Sequence, residues 1–281
     1  MLIGLREALD WADTHSSALA AVNTPFFEAL LATIDVGEQT GVPIILQFAQ
    51  VHEPLVSIAD IGPAMVELAR RSDAPFVLHV DHGEDIDYIR TGLDIGFNSA
   101  MFDGSHLDLA TNIARTREVV ELASDRGFGV EGEIGVMTGN ENGDPSQGAA
   151  DASLYTDPEV ASEFVRQTGV TCLAASFGTV HGMYNAAPEL NFDLLDRLTA
   201  ATGVPIVMHG GSGLDADEYR ASIAHGVRKI NYYTYAAKAA LDAARPVAND
   251  PDVILFPKVA MAAREGVRRD VAGFVAALTG A

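Results

Sequence analysis

Three histidines of this chain follow short hydrophobic runs and could together hold a metal ion. His82, His181 and His209 each stand at or just after the end of such a run, and a glycine comes directly after each of them. Asp81 lies directly before the first histidine. A catalytic zinc site needs three nitrogen or oxygen ligands from the protein and an open fourth position. If the three runs are neighbouring strands of one sheet, their ends would supply this set, so metal-dependent chemistry is the leading hypothesis.

Short apolar runs alternate with amphipathic stretches along the chain. Eight runs predict strands, at roughly 17–23, 43–48, 75–80, 99–102, 128–134, 171–176, 205–208 and 227–232. The stretches between them have helical spacing of apolar residues, and several end in glycine before the next strand. Strands that alternate with helices predict parallel βα units. Eight such units in about 250 residues match a closed (β/α)8 TIM barrel, and a doubly wound open sheet is the alternative.

The barrel interpretation predicts where the chemistry lies. Active sites of this architecture lie at the C-terminal ends of the strands. Nearly every predicted strand ends in a polar residue: Asn23, Gln47, Asp81 with His82, Asp103, Glu133, His181, His209, and Asn231 with Thr234. No repeat, low-complexity tract or linker divides the sequence, so we expect a single domain over residues 1–281, with N- and C-terminal helices flanking the barrel.

The bulk composition argues against several classes of function. No run of 18 apolar residues is present that could span a membrane, and the first residues look like a charged helix rather than a signal peptide. A net charge of −21 without a basic run argues against nucleic-acid binding. The single cysteine, Cys172, cannot form an internal disulfide and suits a reducing cytoplasm. We therefore expect a cytoplasmic protein that binds neither nucleic acid nor membrane.

Six segments, in their order and spacing, resemble the class II, zinc-dependent ketose-bisphosphate aldolases, especially the fructose- and tagatose-bisphosphate aldolase type. They are residues 79–82, 101–105, 130–135, 178–182, 209–213 and 229–234. The resemblance extends from about Asn23 to Lys238 and is far more specific than any one of the short motifs. It implies a zinc ion whose ligands are His82, His181 and His209.

The resemblance also implies roles for four acidic residues. Asp81 matches the proton donor of the family. Asp103 and Glu133 match carboxylates that support the metal or hold it in an alternative position. Glu141 matches a glutamate, in a long loop after the fifth strand, that moves a proton at the triose carbon. By contrast, two residues inside strands, His79 and Glu131, are interpreted as hydrogen-bonded interior side chains.

The family further implies a phosphorylated sugar as substrate, with dihydroxyacetone phosphate as one product. The matching substrate contacts are Asn23, Gly182, Gly210, Gly211, Ser212, Asn231, Tyr232, Tyr233 and Thr234. Glycines allow backbone N–H groups to surround a phosphate, and the start of a helix after the eighth strand would favour an anion. The resemblance also implies a homodimer or homotetramer, and a monovalent cation in addition to Zn²⁺.

The chemistry of ketose cleavage suits these residue types. Breaking the bond between C3 and C4 leaves negative charge that a divalent metal can stabilise, while a carboxylate beside the metal can accept the C4 hydroxyl proton. Together with this chemistry, the resemblance implies a reversible, zinc-dependent aldolase acting on fructose or tagatose 1,6-bisphosphate.

Some departures from the family pattern concern the aldehyde half of the substrate. Tyr232 and Tyr233 replace smaller or acidic residues, Gln47 begins a segment where serine is common, and the segment after His181 lacks a frequent lysine. A second phosphate usually calls for Arg or Lys, so a ketose 1-phosphate with a different aldehyde half is an alternative substrate. A different metal-dependent barrel enzyme, such as a hydrolase or isomerase, and a non-catalytic aldolase-like subunit remain as further alternatives.

Overall fold

The computed structural model describes residues 1–135, 152–182 and 188–280. Eight parallel strands form a closed barrel in chain order. The strands are β1 (Leu19–Asn23), β2 (Ile44–Ala49), β3 (Phe76–Gly83), β4 (Ser99–Phe102), β5 (Gly129–Ile134), β6 (Cys172–Ala175), β7 (Ile206–Met208) and β8 (Val227–Tyr232). The predicted (β/α)8 barrel is confirmed, and the open-sheet alternative is wrong because β1 pairs with β8.

Helices precede, connect and follow the strands. They are α1 (Leu5–Thr14), α2 (Phe27–Thr40), α3 (Ile58–Arg71), α4 (Ile86–Ile95), α5 (Leu109–Ser124), α6 (Pro158–Thr168), α7 (Phe192–Thr202), α8 (Ala216–Ala224), α9 (Thr234–Ala248) and α10 (Phe256–Thr279). The predicted glycine stops are confirmed after α2, α6 and α7, where Gly41, Gly169 and Gly203 adopt left-handed backbone conformations. None of the helices in the described ranges is long and apolar enough to cross a membrane.

The interior of the barrel has an apolar layer at its N-terminal end. Because side chains alternate along a strand, every second residue points inward. The inward residues of this layer are Leu19, Ala21, Ile45, Val77, Cys172, Ala174 and Val207. They pack with Leu5, Ala8, Leu9 and Ala12 of α1, and α1 contacts β1, β5 and β8. Helix α1 therefore closes the N-terminal end of the barrel.

Polar residues replace apolar ones further along the same inward-facing rows. Two residues beyond Ala21 comes Asn23, and two beyond Ile45 comes Gln47; both side chains are buried. The outer faces of the strands pack against the surrounding helices in a second, larger core. Apolar packing at the N-terminal end of the barrel and around the outer faces of its strands thus supports a polar interior that faces the C-terminal end of the barrel.

Candidate metal centre

The three predicted ligand histidines converge at the C-terminal end of the barrel. One ring nitrogen of each of His82, His181 and His209 lies within 4.8 Å of the corresponding atoms of the other two. Their ring centroids are 5.1 Å apart for His82 and His181, 4.5 Å for His82 and His209, and 5.7 Å for His181 and His209. The structure therefore brings together residues that are widely separated in the sequence.

The donor set fits a divalent metal ion. Within the described parts of the chain, His181 Nε2 and His209 Nδ1 are buried and have no hydrogen-bond partner. Buried polar atoms normally have a partner, and both atoms belong to the histidine cluster. Three imidazoles are a common ligand set for catalytic zinc. His82, His181 and His209 are thus suited to hold such an ion.

An irregular backbone brings His82 into this cluster. His82 has a φ of +43°, in the left-handed region that a non-glycine residue rarely adopts. The register between β3 and β4 shifts between Val80 and Gly83, around this residue. Conformations of this kind persist where the surrounding structure enforces them, and they are concentrated at functional sites.

Asp103 fixes the orientation of the His82 ring. Its Oδ2 lies 2.8 Å from His82 Nδ1, and its Oδ1 accepts hydrogen bonds from the backbone N–H and the hydroxyl of Ser105. Burial by itself raises the pKa of Asp103, but the hydrogen bonds from His82 and Ser105 outweigh it and hold this pKa well below its usual range. An ionised Asp103 can only accept a hydrogen bond, so His82 Nδ1 must carry the proton and Nε2 keeps the lone pair that could bind a metal.

Glu133 is a second carboxyl group beside His82 and His209, and its pKa is shifted in the opposite direction to that of Asp103. Its Oε2 is 3.7 Å from His209 Nδ1 and 3.9 Å from His82 Nδ1. Burial, followed by the nearby charge of Asp103, raises the pKa of Glu133 well above its usual range. His82, Asp103 and Glu133 also form a second group with donor atoms close enough to hold a cation, which is consistent with the alternative metal position that the family resemblance implies.

Beneath His209 lies a buried ion pair inside the barrel. Glu131 Oε1 is 2.7 Å from His209 Nε2, and Glu131 Oε2 is 2.8 Å from Lys229 Nζ. Burial opposes ionisation of Glu131, but the charge of Lys229 and the hydrogen bond from His209 lower its pKa to about 2. The interpretation of Glu131 as an interior carboxylate is consistent with this pairing. His79, also interpreted as interior, is fully buried with Nδ1 2.7 Å from Ser99 Oγ.

Asp81 lies at the centre of a set of side-chain amides. Its Oδ2 accepts hydrogen bonds from Asn23 Nδ2 at 2.8 Å and Gln47 Nε2 at 2.9 Å. Asn231 Nδ2 lies 3.2 Å from Oδ1 of the same carboxylate. Burial raises the pKa of Asp81, but the neighbouring positive charges of His82 and Lys229 overcome this effect and hold it well below the usual value. Asp81 is therefore a buried carboxylate that its neighbours keep ionised beside the histidine cluster.

A glycine-rich turn follows β7 at the same end of the barrel. Gly210 has a φ of +65°, and a Cβ at this position would lie 2.2 Å from the carbonyl oxygen of Val180. A Cβ on Gly211 would lie 2.3 Å from Ile230 Cγ2. The backbone can pack this closely only with glycine. Gly182, which follows His181, also has a positive φ, of +90°.

The end of β8 and the start of α9 stand against this turn. Ser212 Oγ accepts a hydrogen bond from the backbone N–H of Tyr233 at 3.1 Å, and α9 begins at Thr234. The centroid of the Tyr233 ring lies 4.4 Å from the ring centroid of His52, a buried residue after β2. The N-terminus of a helix beside a glycine turn favours an anion, so this group has the chemistry of a phosphate site.

Tyr232 was expected to contact substrate, but it points out of the barrel, where its hydroxyl donates to Asp270 at 2.8 Å and its ring stacks on Phe274. The reason is strand alternation, because Asn231 points inward and its neighbour in β8 must point outward. Glu141 lies outside the described residues, as do residues 183–187.

One buried residue of this site, Lys229, was not predicted from the sequence. Lys229 lies in the last of the six segments that resemble the family, at residues 229–234, but no role was predicted for it, although its side chain is completely buried. Its position two residues before Asn231 in a predicted strand was the available signal, since residues i and i+2 share a face. A lysine is rarely buried without a charge partner, and strand parity places Lys229 on the inward face beside Asn231, but parity alone does not identify Glu131 as that partner.

Comparisons with known proteins agree over nearly the whole chain. The sequence profile of the family "Fructose-bisphosphate aldolase class-II" matches residues 3–279. YdjI, an uncharacterized protein of Escherichia coli K12, is 34% identical over 265 residues, which cover 94% of each chain. A fructose-bisphosphate aldolase of Staphylococcus epidermidis is 33% identical over 276 residues, covering 97% of this chain and 95% of that protein.

Solved structures agree with the sequence matches. The crystal structure of the YdjI aldolase from Escherichia coli K12 superposes with a TM-score of 0.88 at 30% identity, over 99% of this chain and 97% of that one. A fructose-bisphosphate aldolase from Campylobacter jejuni has a TM-score of 0.79 at 21% identity, over 99% of this chain and 95% of that one. The second likeness concerns the fold alone.

Proposed function

Because this chain belongs to the class II fructose-bisphosphate aldolase family, we propose that it is a zinc-dependent aldolase that reversibly cleaves a phosphorylated ketose to dihydroxyacetone phosphate and an aldehyde. The observation that carries this proposal is the convergence of His82, His181 and His209 beside an ionised Asp81. The catalytic step we assign is proton transfer by Asp81, and the metal ligands we assign are the three histidines.

When bound, a divalent metal supplies a Lewis acid that stabilises negative charge developing on the substrate oxygens. Asp81 accepts the proton of the C4 hydroxyl as the C3–C4 bond breaks, and it returns the proton in the direction of synthesis. The amides of Asn23, Gln47 and Asn231 hold its carboxylate in place. Since these amides only donate to it, they favour the ionised form that accepts a proton.

We assign the phosphate of the triose half to the turn formed by Gly210, Gly211 and Ser212, with Gly182 and the start of α9 at Thr234. The backbone N–H groups of the turn can approach an anion closely because the glycines have no side chains. This assignment explains how a chain of net charge −21 could hold an anionic substrate. Glu141 remains our candidate for proton exchange at the triose carbon, on the resemblance alone.

The substrate of first choice is fructose or tagatose 1,6-bisphosphate, by resemblance. A ketose 1-phosphate is the second candidate, since no lysine follows His181 over residues 182–190 of the sequence. Purified enzyme should be tested with both kinds of ketose in a coupled assay for triose phosphate. A higher kcat/KM for the bisphosphate would support the first choice, whereas a higher value for the 1-phosphate would support the second.

The same assay distinguishes the proposed aldolase from the remaining alternatives. A metal-dependent hydrolase or isomerase would release no triose phosphate from any ketose phosphate. A non-catalytic subunit would do the same, although the presence of Asp81 and all three histidines argues against that interpretation. Failure to release triose phosphate across a panel of ketose phosphates would therefore contradict the proposed function. A requirement for a monovalent cation can be examined by replacing Na⁺ and K⁺ with a large organic cation.

We further propose that the chain forms a homodimer through the start of α10. Four apolar side chains are strongly exposed there: Ile254 at 85%, Leu255 at 59%, Phe256 at 75% and Met261 at 71%. Contiguous exposed apolar residues are typical of interaction sites. Residues 234–280 carry a net charge of +1, whereas the whole chain carries −21. A second copy is thus the favoured occupant, because two copies would meet here without the repulsion expected between their acidic surfaces.

A further inference from the structure

Lys229 joins two parts of the site that are otherwise separate. Its Nζ lies 2.8 Å from Glu131 Oε2 on β5 and donates a hydrogen bond to Asn231 Oδ1, 2.7 Å away on β8. We propose that Lys229 is a positioning residue that orients a metal ligand through Glu131 and the proton-transferring carboxylate Asp81 through Asn231. This inference rests on the proposed function, because it assumes that His209 binds the metal.

The first branch fixes which nitrogen of His209 is available. An ionised carboxylate can only accept hydrogen bonds. With Lys229 on Oε2, the other oxygen of Glu131 lies 2.7 Å from His209 Nε2, so Nε2 must carry the proton. His209 Nδ1 then presents its lone pair to the histidine cluster. A carboxylate on the far nitrogen of a ligating histidine sets both its tautomer and its ring orientation.

The second branch fixes the side-chain amide of Asn231. An ammonium group has donors and no acceptor, so the amide must direct Oδ1 towards Lys229. The Nδ2 group then faces Asp81, 3.2 Å from Oδ1 and 3.4 Å from Oδ2. A rotated amide would place its oxygen against the Asp81 carboxylate, where the two acceptors would repel each other. Lys229 therefore determines that Asn231 donates to Asp81.

The geometry distinguishes this role from simple charge neutralisation. A lysine that only compensated Glu131 would need one contact, but Lys229 contacts both Glu131 and Asn231 with its single ammonium group. Its side chain is completely buried, as is that of Glu131. The apolar layer of the barrel lies at the N-terminal side of this pair, so water cannot readily replace the ammonium group as a donor.

The test uses Co²⁺ alone as the probe. Wild type, Lys229→Met, Glu131→Gln and the double variant are stripped of metal, and Co²⁺ is titrated against a competing chelator while its visible spectrum is recorded. We expect Kd for Co²⁺ to rise about 10- to 100-fold in each single variant, the usual effect of removing a residue that supports a metal ligand. Because both residues act on His209 by one path, the double variant should resemble Glu131→Gln rather than show the product of the two effects.

Thr33→Ala is the control. Thr33 is completely buried on α2, and its hydroxyl donates to Ala29 O of the same helix at 2.8 Å rather than to a residue of the site. This variant should lower the melting temperature without changing Kd for Co²⁺. If Lys229→Met alone does not fold because Glu131 is left as an unpaired buried charge, the double variant takes its place. The proposal then requires the double variant to match Glu131→Gln in both Kd and Co²⁺ spectrum.

The second branch has a kinetic readout. At saturating Co²⁺, the kcat of Lys229→Met should fall at least about 10-fold relative to Glu131→Gln, since only the lysine orients Asn231 and hence Asp81. Unchanged Co²⁺ affinity in a folded Lys229→Met, or single effects that multiply in the double variant, would overturn the inference. If instead the wild type took up no Co²⁺, the proposed function itself would fail, so the two failures are distinguishable.

Discussion

Asp81 and His82 are consecutive residues, yet both side chains reach the same polar cluster inside the mouth of the barrel. Consecutive residues of a regular strand point to opposite faces. The left-handed φ of +43° at His82, together with the shifted register beside it, removes this restriction. A bulge re-aims a side chain in this way, so the proposed metal ligand His82 and the proposed proton acceptor Asp81 can come from adjacent positions on one strand.

The first prediction concerns proton transfer. Asp81→Asn retains the shape of the side chain but removes the proton acceptor, so kcat should fall about 100-fold or more. Bound zinc, measured by elemental analysis, should remain at the wild-type level because the three histidines are intact. Asp87→Asn, which alters an exposed aspartate on α4, is the control and should leave kcat unchanged. Near-normal turnover in Asp81→Asn would assign the proton transfer to another residue.

Metal binding gives a second prediction. His181→Ala removes one of three proposed ligands and should release zinc during purification, with loss of activity. Its counterpart, His15→Ala, changes an exposed histidine whose ring stacks on Trp11 and bonds the Trp11 carbonyl oxygen, and should retain the metal. Elemental analysis of both variants provides the measurement. Full zinc content in His181→Ala would contradict the proposed ligand set.

The third prediction is the pH dependence of metal retention. Burial lowers the pKa of His181 well below its usual value, and burial also lowers that of His209. Histidine binds a metal only when neutral, so a lowered pKa means that protons compete with the metal only at lower pH. Between about pH 7.5 and pH 6, where an ordinary histidine of pKa about 6.5 gains a proton, protonation of His181 and His209 should therefore not weaken Co²⁺ binding, and affinity should fall by no more than one competing proton predicts. A decline as steep as two or three competing protons predict would contradict this prediction.

The fourth prediction compares two glycines with the same backbone angle. Gly203 and Gly210 both have a φ of +65°, but a Cβ on Gly203 meets nothing within 4 Å, whereas one on Gly210 would meet Val180 O at 2.2 Å. Gly203→Ala should cost about 1–2 kcal/mol, the penalty of a left-handed residue. Gly210→Ala carries the same penalty and a backbone clash, so urea unfolding should give a clearly larger loss. Equal losses would mean that the turn relaxes without strain.

The fifth prediction tests the interface. Phe256→Asp places a charge in the exposed apolar segment at the start of α10 and should convert the dimer to a monomer in analytical ultracentrifugation. Leu109→Asp introduces the same charge at a partly exposed leucine outside this segment, at the start of α5, and should leave the dimer intact. A monomeric wild type would refute the proposed interface, and a dimeric Phe256→Asp would move it elsewhere on the surface.

The sequence predicted the barrel well because its signals are local. Apolar runs, helical spacing and glycine stops such as Gly41 and Gly203 depend on neighbouring residues, and the boundaries of β4 and β8 agree with the structure at both ends. Family resemblance then identified residues that converge in space, including His82, His181 and His209. Their role as zinc ligands stays a prediction until metal is measured.

Features that depend on contacts between distant strands were not predicted. The pairing of Lys229 with Glu131 requires closure of the barrel, which brings β8 and β5 to face each other across its interior. The φ of His82 depends on its register with β4, a relationship that no local pattern contains. Tyr232 differs, because strand alternation already indicated that it would point away from Asn231.

Helix α1 blocks the N-terminal end of the barrel. Its side chains pack into the apolar layer at the N-terminal end, so ligands must enter and leave at the end where the strands finish. Two products of one cleavage would then share a single exit, and the product held nearer the histidines must wait for the other to depart. We therefore expect the aldehyde to leave before dihydroxyacetone phosphate, an order that product-inhibition patterns would reveal: dihydroxyacetone phosphate should compete with the ketose, and the aldehyde should not.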